Sequence, residues 1–288
     1  MWQAISDQLS DTLMFKFSIQ ERNKLSGGDI NQCYMISDGD QRYFVKINDR
    51  DFLSKFEVEV DNLRALRETD TVHVPEVVLL GQTKECSFVI LNYIPVKPLD
   101  TPSANSQFGL ELAKLHKWGE QVDFGFDFDN YIGATLQPNQ WRKKWSRFFS
   151  EQRIGWQLQL LKEKQITLTH IESFVELVNE QLCGHNPKPS LLHGDLWNGN
   201  VANTAFAPIC YDPASYWGDR ECDIAMTELF GGFSDEFYQS YESILPLEPG
   251  YEMRKPIYNL YHILNHCNLF GGNYLDQAKQ LIDQIQRD

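Results

Sequence analysis

Asp195 and Asn200 stand five residues apart in Leu191-Leu192-His193-Gly194-Asp195-Leu196-Trp197-Asn198-Gly199-Asn200, and Asp212 closes the short run Ile209-Cys210-Tyr211 just beyond. Transfer of a phosphoryl group from a nucleotide to a hydroxyl needs a carboxylate to take the hydroxyl proton and oxygen ligands to hold a divalent cation against the phosphates. Asp195 is expected to be that base. Asn200 offers a neutral oxygen to the metal, and Asp212 a charged one. A few hard oxygen donors suit Mg²⁺, which keeps several of its waters. A fixed cation is also needed at the phosphates. Lys46, within Tyr43-Phe44-Val45-Lys46-Ile47, is the candidate, although a strand lysine is usually a solvated face. Two carboxylates follow in the next helical stretch, Glu57 and Glu59, on different helix faces.

These residues need elements to carry them. Trp2, Ile5, Leu9 and Leu13 recur at helical spacing and predict an opening helix. Tyr34-Met35-Ile36 and Tyr43 to Ile47 flank Asp38-Gly39 and predict a hairpin. A helix with Phe52, Phe56, Val60 and Leu63 on one side comes next, then strands at Val77 to Leu80 and Ser87 to Leu91. The first part is therefore a small sheet with one helix inserted after its third strand. Ser26-Gly27-Gly28 falls between two strand-like segments, where a loop covering a nucleotide would sit, though most adjacent glycines are ordinary turns.

Beyond Pro95 and Pro98 helical patterns dominate. Thr101-Pro102 predicts a helix start, a capping residue followed by proline at the first helical position. Trp141, Trp145, Phe148 and Phe149 predict the beginning of a long aromatic helix, and Ile171 to Val178 another. Further helices are expected near Asp219 to Phe230, Pro256 to Phe270 and Tyr274 to Ile285.

The whole chain sets bounds on function. Its 288 residues suggest two lobes, and 26 Lys and Arg against 40 Asp and Glu give a formal charge of −14. Such a surface repels a phosphate backbone, so nucleic acid is not the expected partner, and a polybasic membrane contact is disfavoured as well. No apolar run approaches the ~18 residues of a membrane span. The six cysteines contain no C-x-x-C pair, so free thiols in a reducing, cytoplasmic compartment are expected. His262 and His266 are four apart but lack the Glu of a zinc protease motif, and a packed or solvated helix face is expected there.

The strings around the chemistry carry a resemblance. His-Gly-Asp-x-x-x-x-Asn followed by a strand ending in Asp resembles the catalytic loop of the kinase-like superfamily, in the version seen in aminoglycoside and choline kinases. Leu191 to Asn200 and Asp212-Pro213-Ala214-Ser215-Tyr216-Trp217-Gly218-Asp219-Arg220-Glu221 together resemble the fructosamine kinase (ketosamine-3-kinase) family, closest to its bacterial members. The resemblance implies a two-lobed, protein-kinase-like α+β fold. Residues 1–94 would form a small antiparallel-sheet lobe that binds nucleotide, and 95–288 a larger, mainly helical catalytic lobe. It implies ATP and Mg²⁺ as cofactors, Lys46 paired with Glu59 rather than Glu57, and Gly27 and Gly28 over the phosphates. Asn92, Tyr93 and Ile94 would be the hinge whose backbone meets adenine. The implied reaction phosphorylates the 3-hydroxyl of a ketosamine, free or on a glycated lysine, in deglycation repair.

Residues beside the base divide between chemistry and support. Trp197 would either stack on a sugar-like substrate or plug the core. His193 and Asp223 are expected to brace the loop, and His116 to be a satisfied core histidine. Only about seven residues follow Asp212 before the next helix, with Pro213 where protein kinases carry Phe, so no switch segment fits and a small acceptor is expected. Where some family members have a redox cysteine after the paired glycines, this chain has Asp29, with Cys33 the nearest thiol. The rival readings are a kinase for an aminoglycoside or amino alcohol, and a nucleotide-binding regulator without turnover.

Overall fold

The structure, a computed structural model, describes residues 1–25 and 30–287. Gly27 and Gly28 lie outside the described residues. The opening periodicity forms α1 (Trp2–Leu13), which buries Ile5 and Leu9. Strands β1 (Glu21–Leu25), β2 (Gln32–Ser37), β3 (Arg42–Asp49), β4 (Val77–Gln82) and β5 (Cys86–Asn92) make an antiparallel sheet in the order β1-β2-β3-β5-β4. The β2–β3 hairpin turns through Asp38 to Gln41, with the Asp38 carboxylate accepting from the amides of Asp40 and Gln41. Gly39 supplies the left-handed residue, at φ 102°.

Alternation along the strands divides the sheet into two faces. Val45, Ile47, Phe88 and Ile90 join Ile5 and Leu9 in one core, under α1. Val89 and Leu91 point the other way, to Phe56, Val60 and Leu63 of α2 (Leu53–Glu68), the helix inserted after the third strand. Lys46 shares that second face by parity, and so looks toward α2. The core under α2 continues without a break into the helical part of the chain.

After β5 the chain passes Lys97, which pairs with Asn203, and enters α3 (Pro102–Lys117). Thr101 caps that helix, its side chain accepting from the Ala104 amide at 3.3 Å. A short hairpin follows, β6 (Asn130–Ile132) and β7 (Thr135–Gln137). The long aromatic helix consists of α4 (Trp145–Phe149), a π-helical turn over Ser150–Gly155, and α5 (Trp156–Glu163). Trp141, expected within it, lies outside. The backbone there is committed elsewhere, since Arg142 and Phe124 exchange hydrogen bonds and Asn139 O accepts from Phe126.

The remaining elements are α6 (Ile171–Leu182), β8 (Ser190–Leu191), β9 (Val201–Asn203), β10 (Pro208–Cys210), β11 (Trp217–Gly218), α7 (Glu221–Leu229), α8 (Asp235–Ile244), α9 (Tyr251–Phe270) and α10 (Asn273–Ile285). Two differ from expectation. Helix α9 begins at Tyr251, five residues before Pro256, because Arg254 anchors its first turn by a bidentate pair with Glu221 at 2.7 and 2.8 Å. Helix α8 was not anticipated. Its apolar stripe is short, Phe237 and Tyr241, and it lies against α3 at Gly109, where a Cβ would come within 2.3 Å of Phe237 O. Among the described residues no helix is long and apolar enough to cross a membrane.

Candidate active site

Strand β8 delivers the loop that carries Asp195, and β10 delivers Asp212. His193 and Gly194 make the turn between them possible. Gly194 has φ 84°, and a Cβ there would stand 2.0 Å from Ala214 O, so backbone meets backbone at a distance only glycine allows. Ala214 N donates to His193 O at 2.9 Å, and Leu192 N to Tyr216 O at 3.0 Å. The loop and the segment after Asp212 are thereby stitched together.

Asp223, at the start of α7, holds the loop from behind. Its carboxylate accepts from His193 N at 2.8 Å, Gly194 N at 2.9 Å and His116 Nε2 at 3.1 Å. Burial alone would raise its pKa, yet the contacts with His116 and the loop bring it below the usual carboxylate range. His116 is satisfied on its other side by the Tyr241 hydroxyl at 2.8 Å. His193 donates from Nε2 to Tyr211 O at 3.1 Å and accepts from Asp195 N at Nδ1. Burial lowers its pKa, so it stays neutral, with both ring nitrogens bound to backbone. These residues brace the loop.

Asp195 itself stands beside Asn200. The Asn200 amide donates both to Asp195 O at 2.8 Å and to Asp195 Oδ2 at 3.1 Å, closing the five-residue loop on itself. Removal from water, reinforced by the Asp212 carboxylate nearby, pushes the Asp195 carboxyl up to about 7. A group poised there exchanges protons readily near neutral pH.

On the sheet, Lys46 donates to Glu59 Oε1 at 2.6 Å and to Asp212 Oδ1. Burial opposes its charge, but the two carboxylates raise its pKa above the ordinary lysine range, so it remains an ammonium. Glu57 is exposed and takes no part. Lys46 of the sheet thus reaches the segment that carries Asp212. Asp212 occupies the left-handed region at φ 56°, a conformation that a non-glycine residue holds only where its surroundings over-determine it.

The donor set fits a hard divalent cation. Both Asn200 amide hydrogens face Asp195, which leaves Oδ1 free, and Asp212 pairs with Lys46 through Oδ1 alone while its side chain is 49% exposed. Asn200 Oδ1 and Asp212 Oδ2 are therefore oxygens with no hydrogen-bond partner among the described residues, the kind of ligand Mg²⁺ takes.

At the hinge, Asn92 N donates to Glu76 O at 3.0 Å and Asn92 Oδ1 accepts from Glu76 N at 2.7 Å. The Asn92 side chain is spent on the sheet edge. Tyr93 and Ile94 follow directly, and their main-chain groups make no backbone hydrogen bond outside helices and strands among the described residues. Trp197 is 38% exposed; its ring covers Gly199 and meets Phe230 edge-on at 6.1 Å.

Sequence reasoning missed a set of buried amides on the opposite side of Asp212: Asn62, Asn130, Gln137 and Asn139, which have no periodicity to mark them. It also missed Arg153, fully buried in the π-helical turn, which stacks on Tyr216 at 4.0 Å. Its sequence neighbours Glu151 and Gln152 are polar, so no sequence pattern marked it.

Comparison with known proteins places the chain in a family. A family model for fructosamine kinase matches residues 1–288. A Vibrio parahaemolyticus protein named probable ketoamine kinase is 70% identical over 99% of both chains. A crystal structure from Haemophilus somnus that carries a provisional fructosamine-3-kinase name superposes with a TM-score of 0.94, at 40% identity, over 99% of this chain and 97% of that one. A choline kinase from Streptococcus pneumoniae, 18% identical, matches with a TM-score of 0.66 over 100% and 99% of the two chains, which establishes the two-part kinase-like α+β fold. On that whole-length match, the chain belongs to the fructosamine kinase family.

Proposed function

We propose that this kinase transfers the γ-phosphoryl group of ATP to the 3-hydroxyl of a ketosamine, a sugar joined to an amine through its first carbon. The observation that carries the reading is the run of contacts from Glu59 through Lys46 to Asp212, with the Asp212 charge acting on Asp195 and Asn200 bound to Asp195. Asp195 accepts the hydroxyl proton as the acceptor oxygen bonds to the γ-phosphorus and the bond to the β-phosphate oxygen breaks. Lys46, fixed by Glu59, binds the phosphates. Asn200 Oδ1 and Asp212 would hold Mg²⁺, whose charge stabilises the phosphate oxygens. The Tyr93–Ile94 main chain offers hydrogen-bond groups to adenine, and the exposed face of Trp197 offers a stacking surface to the sugar.

The amine-releasing decay of a 3-phosphorylated ketosamine places the reaction in deglycation repair, on free ketosamines or glycated lysines. A cytoplasmic setting suits the six free cysteines.

The test is an acceptor panel of fructosamines, ribulosamines, choline and aminoglycosides, with ADP release as readout and phosphorus NMR to locate the new ester. Turnover on ketosamines with a 3-phosphate product is expected. Preferential turnover of choline or an aminoglycoside would replace the substrate assignment. ATP binding without transfer to any acceptor, unaltered by Asp195→Ala, would identify a regulator instead.

A further inference from the structure

Three consecutive carbonyls after Asp212 are each taken by a buried side-chain amide. Asn62 Nδ2 donates to Pro213 O at 3.3 Å, Gln137 Nε2 to Ala214 O at 3.1 Å, and Asn130 Nδ2 to Ser215 O at 2.7 Å. The amides also bind one another. Asn130 Nδ2 donates to Asn62 Oδ1 at 3.2 Å, while Asn130 Oδ1 accepts from Gln137 at 2.6 Å and from Asn139 at 2.9 Å. With two donors and two acceptor positions filled, the Asn130 amide is saturated. Tyr261 donates to Gln137 Oε1 at 2.5 Å, and Arg153 to Asn139 Oδ1 at 2.7 Å.

This relay joins parts of the chain that otherwise touch mainly through apolar side chains. Asn62 is on α2, one turn after Glu59 and next to the core stripe. Asn130 and Gln137 belong to the β6–β7 hairpin. The carbonyls belong to the segment that holds Asp212 at its left-handed φ. One face of that segment carries the ion pair with Lys46, and the amides clamp it from the other side.

We propose that Asn62, Asn130 and Gln137 are positioning residues that fix α2 against the Asp212 segment, and so hold Glu59 and Asp212 on Lys46 permanently. The inference rests on the assignment of Lys46, Glu59 and Asp212 to the nucleotide given above. With the Asn130 amide saturated at the centre of the buried network, flipping it leaves donors and acceptors unpaired at a cost. The segment after Asp212 has no room for a regulatory insert, and the relay replaces it with a fixed strut. The kinase is therefore assembled for catalysis without a switch.

A double-mutant cycle tests this, with kcat/KM for ATP and the melting temperature measured on Asn62→Ala, Glu59→Gln and the double variant. Asn62→Ala is expected to lower kcat/KM for ATP by about tenfold, the equivalent of one buried hydrogen-bonding group removed. In the Glu59→Gln background it should lower kcat/KM no further, while the loss in melting temperature stays additive. An equal loss in both backgrounds, or a loss in melting temperature alone, overturns the positioning role and leaves the site assignment standing. If Glu59→Gln leaves kcat/KM for ATP unchanged, the site assignment fails and the inference with it. Should Asn62→Ala not fold, Asn62→Ser serves in the same cycle, since its short hydroxyl cannot span both Pro213 O and Asn130.

Discussion

At the scale of single residues, the proposed chemistry concentrates on Asp195, and its environment has consequences of opposite sign for activity and stability. Its carboxyl is pushed up to about 7, and a base works only when deprotonated. The rate kcat/KM for the acceptor should therefore fall by about tenfold per pH unit below pH 7, with turnover independent of pH just above. A limb centred on the ordinary carboxylate value near 4 would show that burial does not act on the free enzyme in this way. Asp195→Ala should leave ATP binding nearly intact and lower turnover by roughly 10²–10⁴-fold; equal losses in both would indicate a metal-binding or folding role. Stability runs the other way. The folded carboxyl binds its proton more tightly than the unfolded one, so ionising it costs stability fully above pH 7 and not at all below the usual carboxylate range. Asp195→Asn should thus melt higher than the parent at pH 8, the gain disappearing near pH 3. Residues of this kind were legible because Asp195, Asn200, Asp212 and Lys46 sit at spacings tied to chemistry. Asn62 and Asn130 were not, since a buried amide in a polar-looking stretch has no pattern apart from its partners.

At the scale of elements, the catalytic loop works because two main chains approach closer than any side chain permits. Gly194 pairs a left-handed φ with Ala214 O lying 2.0 Å from where its Cβ would be. Neither atom belongs to a flexible side chain, so the strain of Gly194→Ala has to move the loop off the Asp212 segment. We expect it to cost more than about 2 kcal/mol in urea denaturation and to abolish turnover even where folded protein is recovered. A neutral Gly194→Ala would mean the loop can be displaced without effect, against the whole geometry of the site. Elements were legible where they had a period or a cap. The stripe of α1 and the Thr101-Pro102 start of α3 placed both helices correctly. Trp141 misled because an aromatic one turn before a helix satisfies the same spacing while the flanking Asn139 and Arg142 pair with Phe126 and Phe124. Pro256 misled because its usual place is a first turn, whereas here the Arg254–Glu221 pair begins α9 earlier. The α8 stripe was too short to separate from a loop, and what stabilises it is the close approach at Gly109, a contact far away in sequence.

At the scale of the molecule, the sheet and the helical part share the core under α2, and the polar contacts between them gather around Lys46, Asp212 and the amide relay. The architecture was foreseeable because short strands precede long helices along the chain; the continuity of the core was not, since sequence gives the faces of elements but not what covers them. A ligand bound between the two parts should stabilise both at once. With ATP and Mg²⁺ at a hundred times the dissociation constant, linkage predicts about 2.7 kcal/mol, or a rise in melting temperature of roughly 4–5 °C for a chain of this size. ATP with chelator should give less, because Asn200 and Asp212 then face the phosphates without a cation between them. Asp212→Ala should remove the Mg²⁺-dependent part of the rise, and Lys46→Ala most of the remainder. The unliganded Asp212→Ala protein also reports on the ion pair, since Lys46 keeps Glu59 and stays charged, so its own melting temperature should change little. A Mg²⁺ titration of Asp212→Ala that matches the parent would place the cation on other residues and separate the metal assignment from the nucleotide site.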